Sequence, residues 1–173
     1  IFKEFFERTL NNKNYESRAD NRFINISKRE NYIFNSSING IEEADLIFLI
    51  GTNPRYEATL LNARIRKSYL NNNTKIVSLN ENGDLTYPYE SLDGQTQTLK
   101  NIFNETHNFS KKIIDSNKPM IILGESFLRL NTAEFLFVKI IDFLKHNKKF
   151  TEDWKPLNIL SCDAASVGNF DLG

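Results

Sequence analysis

The chain has 173 residues, 22 basic against 22 acidic side chains, 40% apolar residues and one cysteine, Cys162. At roughly 100–200 residues per domain, this is a single domain with enough apolar content to bury a core, which excludes a disordered chain. Zero net charge offers no field for a nucleic-acid backbone; one thiol with two histidines, His107 and His146, excludes an internal disulfide, a cysteine-based zinc site and an iron–sulfur cluster held by this chain alone.

The first residue is Ile1, and residues 1–7 mix aromatics with charges, so they lack the uninterrupted apolar stretch of a signal peptide. No apolar run approaches the ~20 residues needed to span a bilayer. The chain is rich in Asn, Ile, Lys and Phe and poor in Gly, Pro, Ala and Trp, the signature of an AT-biased genome. The glycosylation-type patterns at Asn25, Asn35, Asn104 and Asn108 are read as chance matches in an Asn-rich sequence.

Residues 1–10 place Ile1, Phe2, Phe5, Phe6 and Leu10 on one face of a short amphipathic helix. The polar stretch 11–30 predicts loop with a brief strand around Phe23, Ile24 and Ile26. The run Leu46-Ile47-Phe48-Leu49-Ile50 ending at Gly51 is the pattern of a strand buried on both faces. Thr52-Asn53-Pro54 then opens a helix with Ala58, Leu61, Ile65 and Tyr69 inward; Thr52 or Asn53 caps it, and Pro54 suits its first turn. Lys75-Ile76-Val77-Ser78-Leu79 is a second buried strand, closing a right-handed βαβ unit. A loop with Gly83, Pro88 and Gly94 leads to helices near 96–103 and 110–115, and Pro119-Met120-Ile121-Ile122-Leu123 is a third buried strand. Asn131-Thr132-Ala133-Glu134 has capping-box spacing and opens a helix to about Lys145. That helix is apolar nearly all round, so it is either deeply buried or covered by another subunit. The alternation predicts an α/β, Rossmann-like fold with a mostly parallel sheet flanked by helices.

The loop Gly51, Thr52, Asn53, Pro54, Arg55 sits where open α/β sheets bind ligands, at a strand's carboxyl end and a helix N-terminus. Its backbone N–H groups can hold a phosphate and Arg55 can pair with it; alternatively Gly51 makes the turn, Pro54 starts the helix and Arg55 forms a structural ion pair. No dinucleotide fingerprint and no P-loop occurs. Glu42, Glu43 and Asp45 read as a solvated helix end or polar interface, His107 and His146 as surface residues, and Cys162 as an inert thiol with no histidine near it in sequence. Spacing alone composes no active site, and neither catalytic nor metal-binding residues are expected.

Longer strings say more. Asn31-Tyr32-Ile33-Phe34-Asn35, Gly40-Ile41-Glu42-Glu43-Ala44-Asp45, Gly51-Thr52-Asn53-Pro54-Arg55-Tyr56-Glu57-Ala58 and Leu61-Asn62-Ala63-Arg64-Ile65-Arg66-Lys67 together resemble the molybdopterin-oxidoreductase-like region of the largest iron–sulfur subunit of respiratory complex I. Asp84-Leu85-Thr86-Tyr87, Lys118-Pro119-Met120, Trp154, Leu157-Asn158-Ile159-Leu160 and Asp171-Leu172-Gly173 extend the similarity. The resemblance divides the chain into an N-terminal helix and polar loop, 1–30, and an α/β domain, 31–173, that is a fragment of a longer region. It implies a structural, cofactor-free part of the hydrophilic arm of NADH:ubiquinone oxidoreductase, on the matrix side of the mitochondrial inner membrane or the cytoplasmic face of a bacterial one. Iron–sulfur clusters are then expected in the missing N-terminal part or a partner polypeptide, and Gly51, Thr52, Asn53 and Arg55 form a vestigial loop. The implied partners are other hydrophilic-arm subunits, met through the 131–145 helix, the face of Arg64, Arg66 and Lys67, and the N-terminal helix. The alternative is a domain that binds a molybdopterin dinucleotide at residues 51–55.

Overall fold

The computed structural model describes residues 1–15, 21–163 and 165–172. Its sheet holds five parallel strands, β1 Leu46–Ile50, β2 Lys75–Ser78, β3 Glu90–Ser91, β4 Pro119–Leu123 and β5 Leu157–Ile159, in the order β3-β2-β1-β4-β5. β1 lies between β2 and β4, with Leu46 level with both Lys75 and Pro119. A strand paired on both edges and covered on both faces has no polar side, and every residue of β1 and β4 is buried.

The period-two alternation of these strands divides the apolar residues between two cores. Leu46, Phe48, Ile50, Ile121 and Leu123 face one side, against α4 Thr96–Phe103, α5 Asn108–Asp115 and α7 Ala133–His146. Ile47, Leu49, Met120 and Ile122 face the other, against Leu61 and Ile65 of α3 Thr59–Asn72 and against Ile41, Leu85, Tyr87 and Trp154. Each such side chain contributes about 1.5–3 kcal/mol by leaving water. Edge aromatic contacts fix the first core: the Phe48 and Phe109 rings meet at 4.8 Å and Phe103 and Phe143 at 5.4 Å.

The expected helix after β1 is broken in two. α2 Pro54–Glu57 is a single turn, and Ala58, at φ −153°, separates it from α3. α3 ends at Asn73 in the left-handed region, φ 54°, which asparagine tolerates better than most residues. β3 and β5 and the helix α8 Ser166–Leu172 were not among the predicted elements, and α6 Glu125–Leu128 adds one turn after β4. The free edge of β5 is covered by the segment before β1: Ile159 N–H donates to the Ile33 carbonyl at 3.0 Å and Asn35 Nδ2 to the Leu157 carbonyl at 2.7 Å.

α7 is buried along one face. Ala133, Leu136, Phe137, Ile140, Phe143 and Leu144 are buried in this chain's own core, while Phe135 and Val138 stand half-exposed on the opposite side. The Lys100 and Lys139 ammonium groups lie 5.7 and 5.8 Å from the Phe135 ring centroid. Asn131 does not cap this helix. The N-cap is Thr132, which acts through its backbone carbonyl and makes no side-chain capping bond.

At the N-terminus, α1 Phe2–Glu4 widens into a π-turn over Phe5–Thr9 that buries none of its residues. The 11–30 stretch contains no strand among its described residues, and Arg29–Asn31 forms a 3-10 turn instead. Arg29 makes a two-pronged pair with Asp171, both bonds at 3.0 Å, which ties that turn to α8.

Candidate functional site

In a sheet of this order, the chain leaves β1 toward one side and β4 toward the other, so a crevice is expected outside their carboxyl ends. The loop after β1 and the turn after β4 form the walls of that crevice, and they are in backbone contact. Gly51 takes φ +63°, and a Cβ placed on it would lie 2.4 Å from the Phe127 nitrogen. A Cβ on Gly124 would lie 2.4 Å from Thr52 Cβ and 2.5 Å from the Gly51 carbonyl oxygen. The two glycines let the loops close until Gly124 N–H donates to the Ile50 carbonyl at 2.9 Å and Ser126 N–H to the Gly51 carbonyl at 3.1 Å.

The helix N-terminus behind this contact is satisfied by its own chain. Glu57 turns back over α2, where one carboxylate oxygen accepts from the Thr52 hydroxyl at 2.7 Å and the other from Asn53 N–H at 3.0 Å. Asn53 is the N-cap, its Oδ1 accepting from Arg55 N–H at 3.2 Å, and Pro54 has no N–H to offer. Asn82 lies across the loop, donating to the Thr52 carbonyl at 3.1 Å and to Ser78 Oγ at 2.9 Å. Arg55 reaches the carboxylate of Asp84 at 2.6 Å, which is the structural ion pair the sequence left open. Thr86 N–H, and after it the Arg55 guanidinium, hold the Asp84 carboxyl below its ordinary range. A carboxylate thus occupies the anion position of this helix start, and Arg55 points to a neighbouring loop.

A second polar cluster on the same edge had no sequence signal. Arg22, 3% exposed, reaches Glu125 at 2.5 Å and Asp163 at 2.9 Å. Glu125 also accepts from Ser161 Oγ at 3.3 Å and Cys162 N–H at 3.2 Å. Cys162 is exposed; partial desolvation of its thiol, then the nearby carboxylates of Glu57, Glu125 and Asp163, push its pKa up, which disfavours the thiolate.

The remaining sequence candidates are structural. Glu42 pairs with Arg64 at 2.6 Å and Lys67 at 2.8 Å, so these two bases of the predicted interface face serve an internal contact. Glu43 pairs with Lys118, and Asp45 accepts from Asn117 and Lys118 N–H groups, joining the start of β1 to that of β4. His107 is half-buried, and its Nδ1 accepts from Phe109 N–H at 3.1 Å as the N-cap of α5; His146 is exposed at the end of α7. Among the described residues, no group of three or more His, Cys, Asp or Glu side chains could hold a metal ion.

A pterin dinucleotide at the 51–55 loop would need free loop donors for its phosphates and a gap between β1 and β4. The Thr52 hydroxyl and the Asn53 and Arg55 N–H groups have partners in the chain, and Gly51 meets Phe127 where the gap would be. The residues as arranged do not fit that group.

This is a doubly wound α/β domain whose ligand edge is closed by its own residues. The family model for molybdopterin oxidoreductase matches residues 1–173, and the chain belongs to that family. It is 40% identical over 160 residues to the NADH-ubiquinone oxidoreductase 75 kDa subunit of Reclinomonas americana. It is also 39% identical over 150 residues to the 78 kDa subunit of Neurospora crassa, and 36% over 149 residues to NADH dehydrogenase [ubiquinone] iron-sulfur protein 1 of Solanum tuberosum. These alignments cover 92, 86 and 86% of this chain but 23, 20 and 20% of the respective relatives, so the chain spans between a fifth and a quarter of their length.

Proposed function

We propose that this chain is a structural, cofactor-free part of the hydrophilic arm of respiratory complex I, supporting NADH-to-quinone electron transfer carried by iron–sulfur clusters elsewhere. Similarity to subunits of NADH-ubiquinone oxidoreductase over most of the chain supports the assembly. The observation that carries the cofactor-free reading is the closed crevice: Gly51 and Gly124 in backbone contact, and Glu57 on the donors of the α2 start. No residue here acts as catalyst; the enzyme is the assembly, and this domain positions neighbours. The iron–sulfur clusters belong to another part of the subunit or to a partner polypeptide, since a single cysteine cannot ligate one alone. Two relatives are named as mitochondrial, which supports a mitochondrial location; the matrix side of the inner membrane is the place this reading assigns. Among the described residues no helix is long and apolar enough to cross a membrane.

The alternative, a molybdopterin dinucleotide bound at Gly51, Thr52, Asn53 and Arg55, is favoured only by the family match. Purification through a tag on this chain from its native membranes tests the proposal. Co-purification with cluster-bearing subunits and NADH:quinone reductase activity is expected; recovery of the chain as a separate species without that activity would overturn it.

A further inference from the structure

The Arg22 cluster plays no part in the reading above. Among the described residues, each terminal nitrogen of the guanidinium meets one carboxylate and one hydroxyl: Nη1 has Glu125 at 2.5 Å and Ser161 Oγ at 3.5 Å, and Nη2 has Asp163 at 2.9 Å and Ser166 Oγ at 3.2 Å. These four residues come from the start of α6, the loop after β5 and the start of α8, 103 or more positions along the chain from Arg22. The pocket is therefore built by the body of the domain, and the side chain is inserted into it. The backbone beside it is pinned as well, with Phe23 N–H donating to the Leu128 carbonyl at 2.7 Å and the Phe23 ring 5.5 Å from that of Phe137. Glu125 is 7% exposed and its Oε2, buried without a hydrogen bond, lies 4.0 Å from Arg129 Nη2, while Asp163 is half-exposed; removing the Arg22 guanidinium therefore leaves Glu125 with the more distant Arg129 as its cation. A planar fork suits acceptors on two sides, whereas an ammonium is a single point that cannot serve both.

We propose that this pocket is a guanidinium-binding site, occupied in cis by Arg22, and that residues 21–25 are a strap which this occupancy locks across the carboxyl edge between β4 and β5. Its ligand class is a planar guanidinium with two accessible nitrogens. When the Arg22 side chain is removed, the site takes a free guanidinium ion in its place. The assignment goes beyond the role in complex I and does not rest on it.

Chemical rescue of the full chain is the test. Arg22→Ala takes away the nearest cation of Glu125, and its Tm falls by roughly 10 °C. Methylguanidinium at ten times its Kd restores roughly 4 °C of this. Methylammonium does not, and Arg22→Ala/Glu125→Ala is not rescued. Arg22→Lys keeps the charge but loses the fork, and gives a second reading should the alanine variant fail to fold: faster amide exchange at Phe23, with β1 and β4 as protected as in the parent. Rescue by methylammonium to the same extent, rescue of the double variant, absence of rescue in a folded Arg22→Ala, or unchanged Phe23 exchange in Arg22→Lys would each overturn the assignment. Failure to co-purify with NADH:quinone reductase activity would leave these results intact, so the two readings fail separately.

Discussion

Gly124→Ala is the substitution most directly sensitive to the closed crevice. The new methyl would lie 2.4 Å from Thr52 Cβ and 2.5 Å from the Gly51 carbonyl oxygen, and neither is the movable end of a flexible side chain. The loops must separate, which costs about 1–3 kcal/mol in overpacking. Separation also strains the Gly124-to-Ile50 and Ser126-to-Gly51 hydrogen bonds, each worth about 0.5–1.5 kcal/mol. The sum is roughly 2–6 kcal/mol, a Tm lower by roughly 10 °C for a chain of this size. Trp154 supplies the assay: it is the only tryptophan, buried, with its indole N–H donating to the Pro119 carbonyl at 2.8 Å, so its emission reports unfolding around β4. Gly168→Ala is the control, because Gly168 is an exposed helical residue with open space where the methyl goes, and alanine there should be neutral or stabilising by up to about 1 kcal/mol. Equal urea midpoints for the two variants would refute the closed contact and reopen the crevice to a ligand.

Removing the buried amide of Asn62 tests the packing under α3. Asn62 accepts from the Tyr87 hydroxyl at 2.7 Å and donates to the Leu85 carbonyl at 3.0 Å, so Asn62→Leu should cost about 2–4 kcal/mol in a urea titration, against about 1 kcal/mol for Tyr87→Phe. Arg55→Ala removes an exposed pair with Asp84 and should lower Tm far less than Gly124→Ala; a drop of equal size would show that Arg55 organises the loop. Glu42, Asp84, Asp93 and Asp171 are all held below their ordinary values, Glu42 by Lys67 and then Arg64, Asp93 by the Thr98 hydroxyl and then Gln95 N–H, Asp171 by Arg29 and then Tyr32. A carboxylate with a depressed folded pKa contributes stability that is present above its unfolded pKa and lost as pH falls through the folded one. Tm should therefore be level at neutral pH and fall below about pH 4, and Asp171→Asn should flatten that acid limb; an unchanged limb would contradict the Arg29 pairing.

β1, β2 and β4 could be read from sequence because strands buried on both faces are largely apolar runs, and a glycine follows β1 and β4. β3 has two residues and β5 three, and both exist by pairing with a longer neighbour, which no local window records. α7 was legible as a helix, but not its orientation, since Phe135 and Val138 are as apolar as the residues that reach the core. At the site, Gly51 and Pro54 marked the loop correctly. What fills it depends on Gly124, from another strand, and on Glu57, which sits four residues after its N-cap rather than the three of a capping box. Arg22 and Glu125 are ordinary charges in sequence, and only the fold brings them together across 103 positions and buries them.

Molybdenum and pterin content of the natively purified, tagged chain is the measurement closest to the central claim. A closed switch point predicts neither molybdenum nor any pterin dinucleotide assignable to this polypeptide, in an assembly that carries iron–sulfur clusters on other chains or segments. Stoichiometric molybdenum, or one pterin dinucleotide released per chain on denaturation, would contradict the account.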